Sequence, residues 1–379
     1  MGGVVQWRAS AKELDLHCMS EKTEIGLTQL YGAQNEPDRD AIELLEQFEE
    51  QIASQRIAWS TSLRLCELKG SGSQGSVFKG QRVGADGFRL PVAIKYYSPE
   101  IFGSALQYDA AMADIGQVAA VVAKIQHENL VVVSHFLNHN RIRVMVMEWI
   151  DGYDLRQLLT SRMCGSIRQR CSRRRWEHLN SELFCSGPVQ PRLKAATVRV
   201  VLRDCLSALS ALHEEGVLHN DLKPANVMLN RAGRAKIIDM GSATQGDSSL
   251  GVRTFSPAYC APEILSEGAV ADASCDIASL GYMAIEMLTG QPTYDGQDLK
   301  MLIREKHRLP SSLETVLCNA GVQDPELALL LKRMIAPVAD LRFRSADDAI
   351  GELLNSSWHD TDTTRENMRI WIEELLEFK

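Results

Sequence analysis

Residues 219–226 bring three chemically useful side chains into one short segment. Asp221, Lys223 and Asn226 supply a carboxylate, an ammonium and a carboxamide at offsets of two and three residues. Such a set can accept a proton, neutralise a phosphate and bind a metal ion through oxygen. Thirteen residues after Asn226, a second oxygen ligand, Asp239, follows a pair of apolar residues. The spacing points to phosphoryl chemistry assisted by a divalent cation.

Upstream of this segment, glycines recur at short intervals. Gly70, Gly72 and Gly75 lie in a run that also contains three serines, and residues 92–95 read Val-Ala-Ile-Lys. Glycines let a strand–turn–strand approach phosphates with bare amides, which side chains would obstruct. A glycine-rich hairpin is a weak signal by itself, and it gains weight from the lysine twenty residues after the last glycine.

In order and spacing, these segments resemble the signature motifs of eukaryotic-type (Hanks-type) serine/threonine protein kinases. The resemblance implies an α+β, two-lobed fold, with a small antiparallel β-sheet lobe and a larger, mainly helical lobe. It also implies ATP and Mg²⁺ as cofactors and a protein substrate with a serine or threonine acceptor. It covers roughly residues 62–358.

The resemblance assigns a role to each motif residue. Asp221 would accept or orient the acceptor hydroxyl's proton, and Lys223 would neutralise the γ-phosphate. Asn226 and Asp239 would bind magnesium, and Asn226 also belongs to the catalytic set. The residues implied to bind the nucleotide are Gly70, Gly72, Gly75, Val77, Ala93, Lys95, Glu148, Ile150, Asp154 and Met228.

The sequence departs from the family pattern at the partner of Lys95. A glutamate is expected on the following helix, predicted over residues 110–125, nine positions before His127. That position is Val118, which cannot form an ion pair. Asp114, one turn earlier on the same face, or a nearby polar side chain is the hypothetical substitute.

Two further departures concern regulation. Asn220 stands where many relatives have an arginine that grips a phosphorylated activation segment, so we expect no dependence on activation-loop phosphorylation. Met240 replaces the usual phenylalanine before Gly241, and its apolar, adaptable side chain can still pack inward. The expected stacked core consists of Val122, Val133, His219 and Met240.

Other motifs separate protein kinases from kinases of small metabolites. Glu263, in an Ala-Pro-Glu motif, would pair with Arg342, and Asp276 would accept backbone hydrogen bonds that hold the catalytic loop. Lys223, together with residues 256–259, favours serine or threonine over tyrosine as the acceptor. A metabolite phosphotransferase is therefore disfavoured. A nucleotide-binding pseudokinase that acts as a scaffold is the alternative, and Val118 favours it.

The chain divides into three parts, namely an extension (residues 1–61), a kinase-like domain (62–358) and a tail (359–379). The domain consists of a small lobe (62–147) and a large lobe (148–358), which contains a basic insert at about 161–195. The extension is expected to contain an amphipathic helix whose apolar face consists of Ile42, Leu45, Phe48 and Ile52. The tail is expected to contain a helix from residue 367 whose apolar side consists of Ile370, Trp371, Leu375 and Leu376.

The insert is rich in arginine and weak in hydrophobic periodicity, which predicts a long loop. Its basic residues are Arg162, Arg168, Arg170, Arg173, Arg174, Arg175, Arg192 and Lys194, against Glu177 and Glu182. A solvated loop and the docking of an acidic partner both remain open. Nucleic-acid binding is not expected, because aromatic stacking residues are missing apart from Trp176.

Composition limits the class of protein. A net charge of −8 argues against generic polyanion binding, and no apolar run reaches the roughly 18 residues that a membrane helix needs. Nine cysteines without a regular framework or export signal indicate reduced thiols and a cytoplasmic protein. Four nearby residues raise a zinc question, but their spacing matches no paired ligand motif; they are Cys164, Cys171, His178 and Cys185.

Overall fold

A six-stranded antiparallel sheet dominates the amino-terminal part of the protein, and its strands span, in spatial order, Arg56–Ile57, Ser62–Gly72, Gly75–Val83, Arg89–Tyr97, Ile142–Glu148 and Val133–His139. The computed structural model of the chain describes residues 29–30, 39–54, 56–57, 62–185, 190–245, 254–266, 270–294, 298–356 and 362–377. The elements up to the end of this sheet are β1 (Gln29–Leu30), α1 (Arg39–Ser54), β2 (Arg56–Ile57), β3 (Ser62–Gly72), β4 (Gly75–Val83), β5 (Arg89–Tyr97), α2 (Ala105–Val122), β6 (Val133–His139) and β7 (Ile142–Glu148). The predicted small antiparallel lobe is confirmed.

Strand β5 shows why the sheet has two different faces. Val92, Ile94 and Tyr96 are buried on one side, where the lobe has its apolar core. Because side chains alternate along a strand, Ala93 and Lys95 point to the opposite side. Helix α2 begins at residue 105, five residues before the predicted start, because the Ser104 hydroxyl accepts a hydrogen bond from the Gln107 amide and caps it.

Helix α1 lies in the extension and buries one face, but the predicted apolar face is wrong. Ile42 is half exposed, whereas Leu44 is fully buried. The buried stripe consists of Ala41, Leu44, Phe48 and Gln51. Gln51 lies on this face because its amide donates to the carbonyl of His139 at 2.6 Å, where α1 packs against α2 and β7. The periodicity of apolar residues does not predict that a polar residue such as Gln51 is part of the buried face.

The rest of the chain is mainly helical, as expected for the large lobe. Its helices are α3 (Leu155–Leu158), α4 (Ser161–Arg170), α5 (Arg173–Glu182), α6 (Ala195–Glu214), α7 (Ala273–Thr289), α8 (Leu299–Asn319), α9 (Pro325–Met334), α10 (Ala346–Leu354) and α11 (Asp362–Glu377). Its strands are β8 (Gly152–Asp154), β9 (Phe184–Cys185), β10 (Arg192–Leu193), β11 (Val217–Leu218), β12 (Val227–Asn230), β13 (Ala235–Ile237), β14 (Thr244–Gln245) and β15 (Thr254–Phe255). Helix α7 is apolar almost all round and forms the centre of this lobe.

The basic insert is not a long loop, and that prediction is wrong. It folds into the helices α4 and α5, which Thr160 and Ser172 cap, followed by the short hairpin β9–β10. Each helix has only ten residues and buries one or two of them, so the periodic signal in the sequence is weak. Helix α5 packs against α11, which lies far along the chain, and α4 packs against α3 and α5.

The tail helix α11 begins at residue 362, earlier than expected, and lies against α5 and α6. Trp371 and Leu375 are buried, as predicted, whereas Ile370 and Leu376 are half-buried. The Tyr153 hydroxyl donates to the carbonyl of Leu375 at 2.9 Å, which joins the tail to β8. Among the helices described, none has the length and apolar character needed to cross a membrane.

Candidate active site

The loop between β11 and β12 is held in place by one buried carboxylate, that of Asp276 on α7. The amides of His219 and Asn220 each donate to Asp276 at 2.8 Å, and His213 bonds the same carboxylate at 2.9 Å. Burial alone would raise the pKa of Asp276, but these bonds hold it below the ordinary value. Asn220 adopts a left-handed conformation, with φ at 64°, which asparagine tolerates better than most residues. The predicted role of Asp276 in holding this loop is confirmed.

Asp221 lies at the centre of a compact hydrogen-bond network. Its carboxylate accepts from the Lys223 ammonium at 2.7 Å and from the Ser256 hydroxyl at 2.7 Å. Lys223 also donates to Ser256 at 3.1 Å. The Asn226 carboxamide donates to the backbone carbonyl of Asp221 at 2.7 Å. The network brings together the three predicted catalytic side chains and a serine from the segment after β15.

Asn226 and Asp239 flank two paired strands, since Asn226 directly precedes β12 and Asp239 lies two residues after β13. Val227 pairs with Ile237 across β12 and β13, and the Ile238 amide donates to the carbonyl of Asn226 at 3.0 Å. Since Nδ2 of Asn226 is used as a donor, its oxygen is the atom left to face a cation. A carboxamide oxygen beside a carboxylate suits Mg²⁺, which prefers oxygen ligands. The donor set therefore fits the expected metal.

Lys95 and Asp239 form a close ion pair. The ammonium lies 2.7 Å from Oδ1 and 2.8 Å from Oδ2, and Lys95 is buried. Burial would raise the pKa of Asp239, but Lys95 and the Gly241 amide outweigh it and lower the pKa to about 2. The carboxylate therefore stays ionised, as a metal ligand must.

Asp114 does not replace the missing glutamate, and that hypothesis is wrong for this structure. Its side chain is exposed, and within the described residues Lys95 pairs with Asp239 alone. Val118 is buried on the inner face of α2. The side chain that faces the cleft from α2 is thus apolar, and the ammonium turns to the carboxylate on the opposite wall.

Six of the predicted nucleotide residues lie in three cross-strand pairs or beside them. Val77 pairs with Lys95, and Ala93 pairs with Met147, which precedes Glu148. Met228 pairs with Asp154 across β12 and β8. The pairs bring segments that are distant in sequence to one cleft between the lobes. Ile150 lies two residues after the end of β7 and is buried.

Asp154 has a perturbed carboxyl group. It caps α3, accepting from the Gln157 amide at 2.8 Å. Burial raises its pKa to about 6, although that hydrogen bond acts in the opposite direction. A carboxyl with this pKa changes charge within the range where enzymes work.

The glycines of the β3–β4 turn differ in what they tolerate. Gly75 has φ at 137°, and a Cβ there would lie 1.8 Å from the carbonyl oxygen of Tyr96. Gly70 and Gly72 have open space where a Cβ would lie. Only Gly75 is required by the fold, so the openness at Gly70 and Gly72 leaves room for a ligand.

Glu148, at the end of β7 where the two lobes join, makes a contact that the sequence does not predict. The Glu148 carboxylate accepts from the Lys236 ammonium and from the Val132 amide. The Glu148 amide donates to the carbonyl of Val132 at 2.9 Å. Lys236 lies on β13, directly before the apolar pair that precedes Asp239. No local sequence pattern predicts that Glu148 is its partner.

The Asn220 side chain makes contacts that the absence of the family's arginine at this position does not predict. Its carboxamide donates to the Thr244 hydroxyl at 2.9 Å and to the Ser242 carbonyl at 3.1 Å. Strand β11 pairs with β14, with Leu218 opposite Thr244. The loop that carries Asp221 is therefore joined directly to the start of the activation segment.

The remaining predicted contacts are present. Arg342 binds Glu263 through both guanidinium nitrogens, at 2.6 and 2.7 Å, and is almost completely buried. The four expected core residues, Val122, Val133, His219 and Met240, are all buried. Among the described residues, no cluster of three or more His, Cys, Asp or Glu side chains could hold a metal ion. His178, from the zinc question, instead bonds Asn367 at 3.1 Å.

A small antiparallel lobe over a helical lobe, with this loop at their junction, defines a protein kinase fold. The chain belongs to the protein kinase domain family, whose sequence model matches residues 63–359. The resemblance drawn from the motifs is confirmed.

Several similar proteins come from bacteria. The chain is 30% identical over 236 residues to a probable serine/threonine-protein kinase pknA2 of Bifidobacterium longum, covering 61% of this chain and 27% of the relative. It is 27% identical over 282 residues to a probable serine/threonine-protein kinase PknB of Lactococcus lactis, covering 69% and 39%. It is 30% identical over 230 residues to the serine/threonine-protein kinase PknL of Mycobacterium tuberculosis, covering 60% and 49%. The chain thus spans less than half the length of these curated relatives.

Proposed function

We propose that this protein transfers the γ-phosphoryl group of MgATP to serine and threonine hydroxyls of other proteins. The observation that carries the proposal is the arrangement around Asp221, whose carboxylate accepts from Lys223 and from Ser256 at 2.7 Å each. An acceptor hydroxyl is chemically equivalent to the Ser256 hydroxyl and could bind the same carboxylate. The names of the relatives support the choice of serine and threonine.

The side chains would divide the work as follows. Asp221 orients the acceptor hydroxyl and takes its proton, a contribution worth roughly 10²–10⁴-fold in rate. Lys223 lies beside that carboxylate and neutralises the phosphoryl group as it moves. Asn226 and Asp239 would hold magnesium, which when bound supplies positive charge to the phosphate oxygens.

Lys95 would bind the α- and β-phosphates after leaving Asp239. The amides of Gly70, Gly72 and Gly75 would face the same phosphates, and Asp154 would accept a hydrogen bond from the ribose. The residues proposed to surround adenine are Val77, Ala93, Glu148, Ile150 and Met228. The cross-strand pairing of Val77 with Lys95 and of Met228 with Asp154 supports this arrangement.

Incubation of the purified chain with radiolabelled ATP, magnesium and an acceptor protein tests the proposal. We expect label on serine or threonine, lost in Asp221→Asn and kept in Asp340→Asn, which changes an exposed acid outside the site. Label that persists in Asp221→Asn would overturn the assigned role of Asp221. Label found only on metabolites would point to a small-molecule phosphotransferase.

A pseudokinase is the second candidate, because two observations favour it. Val118 leaves Lys95 without a partner on α2, and the ammonium instead occupies the carboxylate expected to bind metal. A pseudokinase of this kind would bind nucleotide without turnover. Binding of ATP by calorimetry, with no label transferred by the wild-type chain, would select this reading.

We propose that activity does not depend on phosphorylation of the activation segment. Asn220 already joins the catalytic loop to Ser242 and Thr244 through neutral hydrogen bonds, so a phosphate is not needed to bring them together. An arginine in that position would require an anion as its partner.

We further propose that the helices α4 and α5 form a basic hairpin that docks an acidic protein segment. Its exposed arginines are Arg162, Arg168, Arg170, Arg173 and Arg174. The hairpin is anchored by an ion pair of Arg175 with Glu374 at 2.8 Å, so the arginines are presented on a fixed surface. Binding of a polyglutamate peptide should weaken in Arg168→Glu/Arg170→Glu/Arg174→Glu and persist in Lys332→Glu. Equal affinity of both variants would contradict the docking role.

A cytoplasmic location stays a prediction. The eight described cysteines are free thiols, and reduced thiols are typical of intracellular proteins. Fractionation of cells that express the tagged chain measures it directly.

A further inference from the structure

One ammonium group is completely buried in the large lobe, away from the nucleotide site. Lys306 lies on α8 with no exposed surface. Among the described residues, no carboxylate forms an ion pair with it. Its Nζ atom donates a hydrogen bond to the carbonyl oxygen of Ala258 at 2.8 Å. A buried charge without an anionic partner is costly, so the surroundings must compensate it.

Two aromatic faces supply that compensation. Nζ of Lys306 lies 3.8 Å from the ring centroid of Tyr282 and 4.4 Å from that of Tyr294. Burial lowers the pKa of Lys306 to about 7, and the electron-rich ring faces favour the charged form. The hydroxyls of Tyr282 and Tyr294 are buried and make no hydrogen bond within the described part of the chain. The two tyrosines therefore act here through their faces.

Ala258 belongs to a short turn that ends at the catalytic carboxylate. The amides of Tyr259 and Cys260 donate to the carbonyl of Ser256 at 2.9 and 3.0 Å. The Ser256 hydroxyl donates to Asp221 at 2.7 Å. The Tyr259 hydroxyl bonds Glu286 on α7. Residues 256–260, which we call the acceptor turn, are thus tied to Asp221 at one end and to the lobe at Ala258 and Tyr259.

We propose that Lys306 is a positioning residue that holds the acceptor turn in the shape that presents a protein hydroxyl to Asp221. The inference rests on the proposed kinase activity and adds a determinant of the acceptor side to it. Lys306 touches neither nucleotide nor the reacting atoms, so its effect passes through Ala258.

The alternative, a purely structural lysine, is disfavoured by energetics. An apolar side chain of similar length would fill the same space between the tyrosines without the cost of burying a charge. Such a residue could make neither the cation–π contacts nor the hydrogen bond to Ala258. The cation–π contacts only offset the cost of burying the charge, whereas the hydrogen bond reaches the acceptor turn.

Hydrogen exchange of the acceptor turn is the primary test, because it needs no substrate. In Lys306→Met we expect the amides of residues 256 and 258–260 to exchange roughly 10-fold faster or more, since a charge-assisted bond that holds the turn is lost; Pro257 has no amide hydrogen. Tyr294→Phe keeps the aromatic face and should exchange like the wild type, whereas Tyr294→Leu should exchange faster. Peptides from the glycine-rich turn should not change in any variant.

Kinetics with dephosphorylated casein and ATP provide the second test. We expect Lys306→Met to raise KM for casein severalfold and to leave KM for ATP unchanged, and Lys306→Arg to restore part of the loss. If exchange at residues 256–260 is unchanged in a folded Lys306→Met protein, the positioning role is wrong. If exchange rises but KM for casein stays constant, the turn is held by Lys306 without serving the acceptor, and the inference also fails. A wild-type chain that transfers no phosphate would overturn the kinase proposal while leaving the exchange result to be judged by itself.

Discussion

The ammonium of Lys95 contacts both carboxylate oxygens of Asp239, at 2.7 and 2.8 Å. In the proposed mechanism these two residues have different partners, the nucleotide phosphates for one and magnesium for the other. The pair therefore describes a resting arrangement that must open when nucleotide enters. With Val118 on α2, no carboxylate on that helix competes for the lysine.

Coupling between Lys95 and Asp239 should be measurable in stability. We expect Lys95→Met and Asp239→Asn each to destabilise the protein, because each leaves one charge without its partner in a buried cleft. The pKa of Asp239, lowered to about 2, corresponds to roughly 2 kcal/mol of stabilisation at neutral pH, present above pH 4 and lost as the pH falls toward 2. Urea unfolding at pH 7 of both single variants and the double variant should give a coupling energy of about 1–2 kcal/mol. Additive effects would contradict a direct interaction.

Nucleoside binding should depend on pH through Asp154. Its pKa is raised to about 6 by burial, so the carboxylate that would accept the ribose hydrogen bond is present above pH 6 and is lost below it. The affinity for adenosine should fall about 10-fold between pH 7 and pH 5, measured by calorimetry. Adenosine is the ligand for this measurement, rather than ATP, because it has no phosphate group that titrates between pH 5 and pH 7. Asp154→Asn should bind weakly and without this pH dependence, and a wild-type affinity that is constant over the range would refute the assignment.

Asn220 offers a test of independence from loop phosphorylation. Asn220→Gly accepts the left-handed backbone at φ 64° but loses the bonds to Ser242 and Thr244, so its turnover should fall about 10-fold. Treatment of the wild-type chain with a phosphatase should leave its turnover unchanged. Mass spectrometry before and after treatment checks that phosphate was removed. Inactivation of the wild type by the phosphatase would contradict the proposal.

The ion pair of Arg342 with Glu263 should be a large contributor to stability. Arg342→Met leaves the partly buried Glu263 without its counter-ion, and we expect a loss of about 3 kcal/mol in the free energy of unfolding. Arg333→Met is the matched control, because Arg333 forms a more exposed pair with Glu352 and should cost less than about 1 kcal/mol. Denaturant titration of both variants provides the comparison. Equal losses would show that burial does not set the strength of these pairs.

Local patterns predicted the motifs well, because their chemistry depends on neighbours in the chain. Asp221, Lys223 and Asn226 share one loop, and the structure brings them into one network. The alternation in β5 likewise predicts that Lys95 faces away from the core residue Ile94.

The wrong predictions for the insert and for α1 share a physical cause, because the residues concerned are stabilised by partners far away in sequence. Helix α5 packs on α11, and α4 in turn packs on α5. Gln51 is buried because its side chain reaches the carbonyl of His139. Local sequence patterns therefore predict a loop for the insert, and they predict a buried face of α1 that is shifted by one residue from the observed face. Asp114 lies one helical turn from Val118, but spacing along α2 does not report whether a side chain reaches Lys95 on another element, and Asp114 is exposed to solvent.

The amino-acid sequence by itself determined the family, the order of the motifs and the chemical groups available for phosphoryl transfer. These follow from residue type and short-range spacing, which the chain carries in any conformation. Only the tertiary structure decided that Lys95 meets Asp239, that Asn220 joins Thr244, and that Lys306 reaches Ala258 between two tyrosines. Each of these contacts joins segments separated by more than twenty residues, and their energies depend on burial, which exists only once the two lobes have folded.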